Sequence, residues 1–168
     1  MISNDVSFET IYRAYDRRVY SFLYKLCHEH ETAEDLTQET FYQAYKSLPR
    51  YRGECEMFTW LAAIAKNMFF KHLRHARHEN IVIDLYVTEP EAPLSDEPGY
   101  RIVREVEAEQ VRRAIASMPA KYADVLILRI YGELPFREIA MKLGISENSA
   151  KVIYHRAKNM IKEKLLND

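Results

Sequence analysis

Cationic side chains recur near the end of the chain at a spacing that suits binding to nucleic-acid phosphates. They follow one another at intervals of three or four residues, so a helix would place them on one side. The set consists of Lys151, His155, Lys158 and Lys162, with Arg156 beside them. It is preceded by polar or acidic residues, namely Ser146, Glu147, Asn148 and Ser149. Side chains of these types reach base edges in a major groove when they lie at the start of a helix, so the chemistry indicated is DNA binding.

The segment in front of this cationic face predicts a helix, a tight turn and a second helix. The first helix has an apolar stripe, which consists of Phe136, Ile139, Ala140 and Leu143. Gly144 can adopt the left-handed conformation that ends a helix, and Ser146 is a good N-cap for the next one. The second helix has an apolar face of its own, made of Ala150, Ile153, Ala157, Ile161 and Leu165. The pattern favours a DNA-binding helix-turn-helix over its alternative, an ordinary helical hairpin in a bundle core.

Aromatic rings alternate with cations in the segment from Phe58 to Arg74. Single-stranded nucleic acid is held in this way, with rings against unstacked bases and cations on the backbone. Core packing is the competing interpretation, because a stripe at helical core spacing runs through the same segment. That stripe consists of Trp60, Leu61, Ile64, Met68 and Phe69. The residues expected to be exposed are Lys66, Asn67, Phe70, Lys71 and Arg74.

Two acidic residues, Asp35 and Glu39, lie one helical turn apart on the predicted exposed face of an earlier helix. Like charges at this spacing destabilise a helix by about 0.3 kcal/mol. The helix dipole favours acids near a helix start, which accounts well for Asp35 and poorly for Glu39. With Gln38 between them, the two acids indicate a surface that docks a basic partner. The alternative is that these acids are present only because the helix dipole favours negative charge near a helix start.

The run Cys27-His28-Glu29-His30 combines a thiol with two imidazoles and raises the question of a metal site or a nucleophile. Its spacing is not that of a zinc module, and no second ligand pair follows at a suitable distance. We therefore expect Cys27 to be a helix residue at a packing position and the histidines to lie on the surface. The other cysteine, Cys55, lies in a predicted loop. No catalytic residue, metal or cofactor is predicted.

The composition favours an all-α protein and argues against several other classes. Of 168 residues, 48% are hydrophobic, 29% are charged and only 4 are glycine. The sequence has no run of about 18 apolar residues that would span a membrane. Its N-terminus lacks the basic-then-apolar layout of a signal peptide. Two cysteines suggest no disulfide framework, so a cytoplasmic location is expected.

Charge and proline content divide the chain into two small helical domains and a linker. Residues 1–78 are expected to form the first domain, with four helices from about residue 5 to 78 when the segment from Phe8 to Leu26, a single helix or a pair, is counted as a pair. Residues 102–168 are expected to form a second domain that contains the helix-turn-helix. Residues 79–101 carry Pro90, Pro93 and Pro98 and are expected to be a linker with a short extended piece at 81–83. The linker lacks Lys and Arg before Arg101, while acids accumulate at Asp84, Glu89, Glu91, Asp96 and Glu97.

These motifs, taken in order, resemble the extracytoplasmic-function (ECF) class of bacterial sigma factors over about Phe8 to Leu166. The segment Ala33–Phe41 is similar to the helix of that family that docks the clamp helices of the polymerase β′ subunit. The segment Phe58–Asn67 is similar to the helix for the −10 promoter element. Met118–Leu126 and Leu134–Lys158 resemble the domain that reads the −35 element and contacts the polymerase flap.

The resemblance implies three sets of site residues and no cofactor. Polymerase binding would involve Asp35, Leu36, Gln38, Glu39 and Phe41. Binding of the −10 element would involve Arg52, Trp60, Lys66, Asn67, Phe70, Lys71 and Arg74, with Asn67 and the 51–57 loop holding an extruded base. Binding of the −35 element would involve Ser146, Glu147, Asn148, Ser149, Lys151, His155, Arg156 and Lys158. The partners implied are core RNA polymerase and promoter DNA, and an anti-sigma protein is left open.

The net charge of −1 agrees with a factor that works inside a larger assembly. Affinity for duplex DNA follows the number of phosphates neutralised, so this chain should bind DNA weakly alone. The acidic linker is expected to thread a positively charged channel of the polymerase. A departure from the usual family pattern lies at Lys151-Val152-Ile153, where many members have Lys-Ser-Arg, and Ala150 replaces a usual valine. A stand-alone helix-turn-helix regulator is the alternative, but it would need a dimer, and no extra apolar helix is evident.

Overall fold

The computed structural model describes residues 7–79 and 108–167, and all regular elements within these ranges are helical. In chain order they are α1 (Phe8–Cys27), α2 (His30–Ser47), a 3-10 helix (Leu48–Arg50), α3 (Met57–Glu79), α4 (described over 108–116), α5 (Ala120–Ile130), α6 (Phe136–Leu143) and α7 (Glu147–Asn167). Helices α1 to α3 pack together, and α5 to α7 form a second group. The predicted all-α class with two helical domains is confirmed.

The first helical group is held by apolar stripes that recur at helical spacing on α1, α2 and α3. Val19, Leu23 and Leu61 have no exposed surface, and burying a side chain of this size stabilises the fold by about 2 kcal/mol. Glu29 caps α2, since its carboxylate accepts hydrogen bonds from the backbone N–H groups of Glu31 at 3.2 Å and Thr32 at 2.9 Å. The capping satisfies donors that the first turn of a helix leaves unpaired.

This part of the chain contains fewer helices than the four expected. Of the two arrangements left open for the first segment, a single helix or a pair, Phe8–Cys27 forms the single helix, and the segment after α2 is a 3-10 turn. No glycine or proline interrupts Phe8–Cys27, and its buried residues Ile11, Val19 and Phe22 continue on one face. A second helix would need a break that these residues do not provide.

The second group is built around α5, which has no exposed side at its centre. Four consecutive residues have zero exposure, namely Val125, Leu126, Ile127 and Leu128. A helix that is apolar all round must be covered on every side. Helix α5 contacts α6 and α7 from its own group, and α3 from the first.

The predicted helix-turn-helix is present as α6 and α7. On α6, Ile139 and Ala140 are buried and Phe136 and Leu143 are half-buried. On α7 the apolar face runs from Ala150 and Ala157, both fully buried, to the half-buried Ile153 and Ile161. The prediction fails at Leu165, which is 39% exposed although the neighbouring Lys164 contacts Ser117 at the end of α4.

Several expectations lie outside the described residues. They are the linker over 80–101, its five acids, the extended piece at 81–83 and the start of the predicted helix at 103–107. Within the described ranges, no helix is both long and apolar enough to cross a membrane.

Two glycines shape the turns on either side of α6 for different reasons. At Gly132, a Cβ atom would lie 2.7 Å from the backbone oxygen of Leu128, closer than real Cβ contacts. At Gly144 nothing lies within 4 Å of such a Cβ, but the backbone is left-handed with φ of 67°. Glycine is therefore required at position 132 because there is no room for a Cβ atom, and at position 144 because the backbone is left-handed.

We expect Gly132→Ala to lower the free energy of unfolding more than Gly144→Ala does. The second change should cost about 1 kcal/mol for a left-handed alanine, whereas the first should cost about 2–3 kcal/mol because backbone must shift. Urea denaturation followed by far-UV circular dichroism measures both. Equal losses would contradict the steric role given to Gly132.

Candidate functional site

The cationic face of α7 is fully presented to solvent. All eight residues expected to bind the −35 element are exposed. Ser146 caps the helix, because its Oγ accepts a hydrogen bond from the backbone N–H of Ser149 at 3.0 Å. Lys151 Nζ lies 3.5 Å from Glu147 Oε1, and an exposed pair of this kind is weak enough to be exchanged for a phosphate.

The orientation of α7 is fixed by contacts behind this face. The rings of Phe136 and Tyr154 meet edge to face with centroids 5.4 Å apart, which joins α6 to α7. The guanidinium of Arg129 lies 4.4 Å from the Phe136 ring centroid and donates a hydrogen bond to the Leu134 backbone oxygen at 3.0 Å. These contacts tie both helices to α5.

The loop before α3 is ordered by one aromatic side chain. The hydroxyl of Tyr51 donates a hydrogen bond to the Cys55 backbone oxygen at 2.5 Å, and its ring lies 5.0 Å from that of Trp60. Burial raises the pKa of Tyr51 above its usual value, so it stays a neutral donor. Trp60 is half-buried, while Arg52 at the loop tip is exposed. The loop therefore presents an exposed cation, and the first turn of α3 presents a partly accessible indole.

The C-terminal half of α3 presents most of the expected −10 residues. Asn67, Lys71 and Arg74 are exposed, and Phe70 is half-buried. Asn67, Phe70 and Arg74 line one side of a cleft of about 340 Å³ whose other side comes from α4, α5 and the turn between them. This arrangement brings polar, aromatic and cationic side chains together along one groove.

Lys66 differs from the expectation that it is exposed. It is only 4% exposed, and its Nζ lies 2.7 Å from Asp124 Oδ1 of α5. The helical repeat places Lys66 on the face of α3 that α5 covers, and pairing with a carboxylate makes burial of the ammonium tolerable. Asp124 was not recognised as a functional residue from the sequence, because its partner lies 58 positions earlier in the chain.

The surface of α2 contains only part of the expected polymerase-binding set. Asp35 and Gln38 are exposed, and Glu39 is half-buried with its Oε1 accepting a hydrogen bond from Gln43 at 2.9 Å. Leu36 and Phe41 do not lie on the surface, since they are 7% and 3% exposed within the core. Their spacing turns them toward α1 and α3, so their contribution is to position the helix.

Exposed aromatic rings beside this acidic surface were missed in the sequence. Tyr12, Tyr42 and Tyr45 are 42%, 57% and 62% exposed, although rings of this size usually bury most of their area. The signal available in the sequence was the spacing of Tyr42 and Tyr45, which lie off the apolar stripe of α2.

The cysteines and their neighbours serve the fold. Cys27 Sγ donates a hydrogen bond to the Glu29 backbone oxygen at 3.3 Å, and Glu29 itself caps α2. His30 Nδ1 lies 2.5 Å from the Tyr20 hydroxyl oxygen, and its Nε2 lies 3.2 Å from Glu34. Burial raises the pKa of both Cys27 and Cys55 above that of a free thiol. A raised pKa lowers the thiolate fraction and so disfavours a nucleophilic role.

Comparison with known families gives two matches in the same order as the helical groups. Residues 11–79 match the family model "Sigma-70 region 2", and residues 108–161 match "Sigma-70, region 4". The chain is 30% identical to the RNA polymerase sigma factor YlaC of Bacillus subtilis, covering 95% of this chain and 92% of that protein. It is 28% identical to the ECF RNA polymerase sigma factor SigM of the same species, covering 94% of each.

Two solved structures share the fold at low sequence identity. The sigma factor RpoE in complex with the anti-sigma factor NepR from Bartonella quintana has a TM-score of 0.57 at 19% identity, covering 96% of this chain and 98% of that one. CnrH in complex with the cytosolic domain of CnrY also has a TM-score of 0.57 at 19% identity, covering 99% and 92%.

We expect both thiols to be alkylated more slowly than a free cysteine at neutral pH. Because each pKa is raised, the thiolate fraction should increase only as the pH rises past the usual thiol value of about 8.5. Mass spectrometry of iodoacetamide-treated protein across a pH series measures this. Rapid modification of Cys27 in the native chain at pH 7 would contradict the packing role.

Proposed function

Because the chain belongs to the ECF class of RNA polymerase sigma factors, which recognise promoters, we propose how its parts divide that task. Residues 1–78 bind core polymerase and open the −10 element, and residues 102–168 read the −35 element as duplex. Residues 79–101 link these two domains. The observation that supports this division is that the two proposed DNA surfaces belong to different helical groups. One lies on α3 within the region 2 match, and the other on α7 within the region 4 match.

Helix α7 is proposed to enter the major groove of the −35 element. Glu147, Asn148 and Lys151 occupy its first turns, from which side chains reach base edges. His155, Arg156 and Lys158 follow and would meet phosphates. The full exposure of this face and its fixed orientation against α6 support the assignment.

Helix α3 and the loop before it are proposed to hold the separated strand of the −10 element. Asn67 supplies an amide for base edges, and Lys71 and Arg74 supply charge for the backbone. Trp60 and Phe70 offer partly accessible rings against which an unstacked base can lie. The cleft beside α3 supports this role because Asn67, Phe70 and Arg74 line it together.

The exposed surface of α2 is proposed to dock the clamp helices of the polymerase β′ subunit. Asp35 and Gln38 provide polar contacts, and the exposed rings of Tyr42 and Tyr45 add apolar area beside them. Acidic and aromatic groups together suit a partner surface that is both basic and apolar. Leu36 and Phe41 support the helix from within the core.

Sigma factors are transcription initiation factors, and we propose that this chain carries no catalytic activity of its own and acts in the cytoplasm. An anti-sigma protein is a candidate partner, because the solved structure of RpoE, which shares the fold, was determined with the anti-sigma factor NepR. A stand-alone helix-turn-helix regulator is not favoured, since region 2, matched over 11–79, would have no purpose in it.

We expect Asp35→Arg to weaken binding to core RNA polymerase at least about tenfold, because a reversed charge would face a basic partner. The matched control is Glu31→Arg, which makes the same change at an exposed residue in the first turn of the same helix. Biolayer interferometry with purified core enzyme gives both affinities. Equal weakening by the two changes would argue against the docking surface proposed on α2.

Lys151→Ala should reduce run-off transcription about tenfold on promoters that need a −35 element, since one base or phosphate contact is worth about 1–3 kcal/mol. The measurement uses purified core enzyme and a promoter library, which also tests recruitment and sequence choice. Lys162→Ala removes the same charge beyond the proposed contact residues and should change transcription less. No transcription by the unaltered chain on any library member would overturn the proposed function.

A further inference from the structure

Helix α7 exposes one apolar side chain in the middle of the face assigned to the −35 element. Val152 is 44% exposed, although polar and charged residues surround it. From Glu147 to Asn159 it is the only apolar residue that is exposed, since the others are buried or half-buried. A β-branched valine is also a poorer helix former than alanine, lysine or glutamate. Packing within the chain and helix propensity therefore do not account fully for this valine.

The Val152 side chain faces away from the body of the second helical group. Each residue turns a helix by about 100°, so Val152 lies about 200° round α7 from Ala150, which has no exposed surface. By the same count Ala157, which is also fully buried, lies within about 20° of Ala150. Val152 therefore lies at the centre of the side of α7 that is opposite its buried side.

The side chains around Val152 belong to residues proposed to bind the −35 duplex. At spacings of three and four residues, which place side chains side by side on a helix, its neighbours are Asn148, Ser149, His155 and Arg156. All four are exposed. Arg156 is a cation and His155 can become one, so phosphates attract this face toward DNA. When the face enters a major groove, Val152 lies against the base edges.

The major groove offers one methyl group to such a side chain. Among the four bases only thymine presents a methyl group there, whereas most of the other edge groups are hydrogen-bond donors or acceptors. Valine can neither donate nor accept a hydrogen bond, so against those polar groups it would displace water without replacing its hydrogen bonds. One preferred rotamer fixes the valine methyl groups in a helix, so little side-chain freedom is lost on contact. Thymine is therefore the base that fits Val152.

We propose that Val152 is a specificity-determining residue that contacts the C5-methyl group of one thymine in the −35 duplex and thereby selects thymine at that position. The inference rests on the −35 role proposed for α7, and it names the base that one of its residues reads. Because the neighbours of Val152 are polar, the methyl contact falls to Val152 alone. Many members of the family have serine at this position, so the preference distinguishes this chain from them.

The test uses holoenzyme formed from purified core polymerase and the full chain, on a promoter selected from the library by run-off transcription. Each thymine of the −35 duplex, on either strand, is replaced in turn by deoxyuridine, which lacks only the methyl group. Transcription at subsaturating holoenzyme should fall about fourfold at one thymine, the loss expected for one buried methyl group. Val152→Ala should lower transcription of the thymine promoter by a similar factor. It should then show no further loss with deoxyuridine at that thymine, because the two changes remove the same contact.

Two controls assign the effect to this contact. Leu166→Ala removes an apolar side chain that is 85% exposed at the far end of the same helix, and it should keep the full response to deoxyuridine. Deoxyuridine in the spacer between the two promoter elements should leave transcription unchanged. Far-UV circular dichroism of the free chain checks that Val152→Ala keeps its helix content, as expected for a better helix former at an exposed position.

Three results would overturn the role of Val152: a −35 element without thymine on either strand, no thymine at which methyl removal lowers transcription, or an undiminished response to deoxyuridine in Val152→Ala. Failure of the proposed function is distinguishable from these. Absence of −35-dependent transcription on the unmodified promoter would overturn the proposed function and the role of Val152 together. Transcription that depends on the −35 element but ignores its methyl groups would overturn the role of Val152 alone.

Discussion

The complete burial of the centre of α5 is the constraint on which the arrangement of the molecule depends. A helix with four consecutive unexposed residues, Val125 to Leu128, cannot be left with a solvent face, so it collects partners on every side. Those partners are α6 and α7 from its own group and α3 from the other. The same burial therefore turns the cationic face of α7 outward and brings α3 close enough for Asp124 to reach Lys66. Without a buried α5, the two helical groups would lack the helix on which both pack.

Carboxylates pair with cations on both helices that carry the proposed DNA surfaces. On α7 the competing pair, Glu147 with Lys151, is half-exposed at 3.5 Å and therefore weak. On α3 the pair of Asp124 with Lys66 is shorter and largely buried, so breaking it leaves a poorly solvated ammonium. With a net charge of −1, the chain has no bulk attraction to DNA that would override these pairs.

Local chemistry made the helix-turn-helix predictable in detail. Gly144 ends α6 with a left-handed backbone, and Ser146 caps α7, as their residue types indicated. The exposed face of α7 was predicted equally well, because the helical repeat decides which residues share one side of a helix. Prediction failed where a residue's environment comes from a distant element. Lys66 was expected in solvent and is buried, and Phe41 was assigned to a docking surface and lies in the core.

What the sequence determined by itself was the helical class, the position of most helices and the caps on either side of the helix-turn-helix corner, since periodicity, turn residues and motif order all act over a few neighbouring positions. What only the tertiary structure decided was which faces meet. Glu138 carries no local sign that it caps α3, because its partners Glu56 and Thr59 belong to another helical group. Burial and pairing between distant segments depend on which helices pack against each other. The sequence pattern shows that a helix has an apolar face, but it does not specify which other helix covers that face.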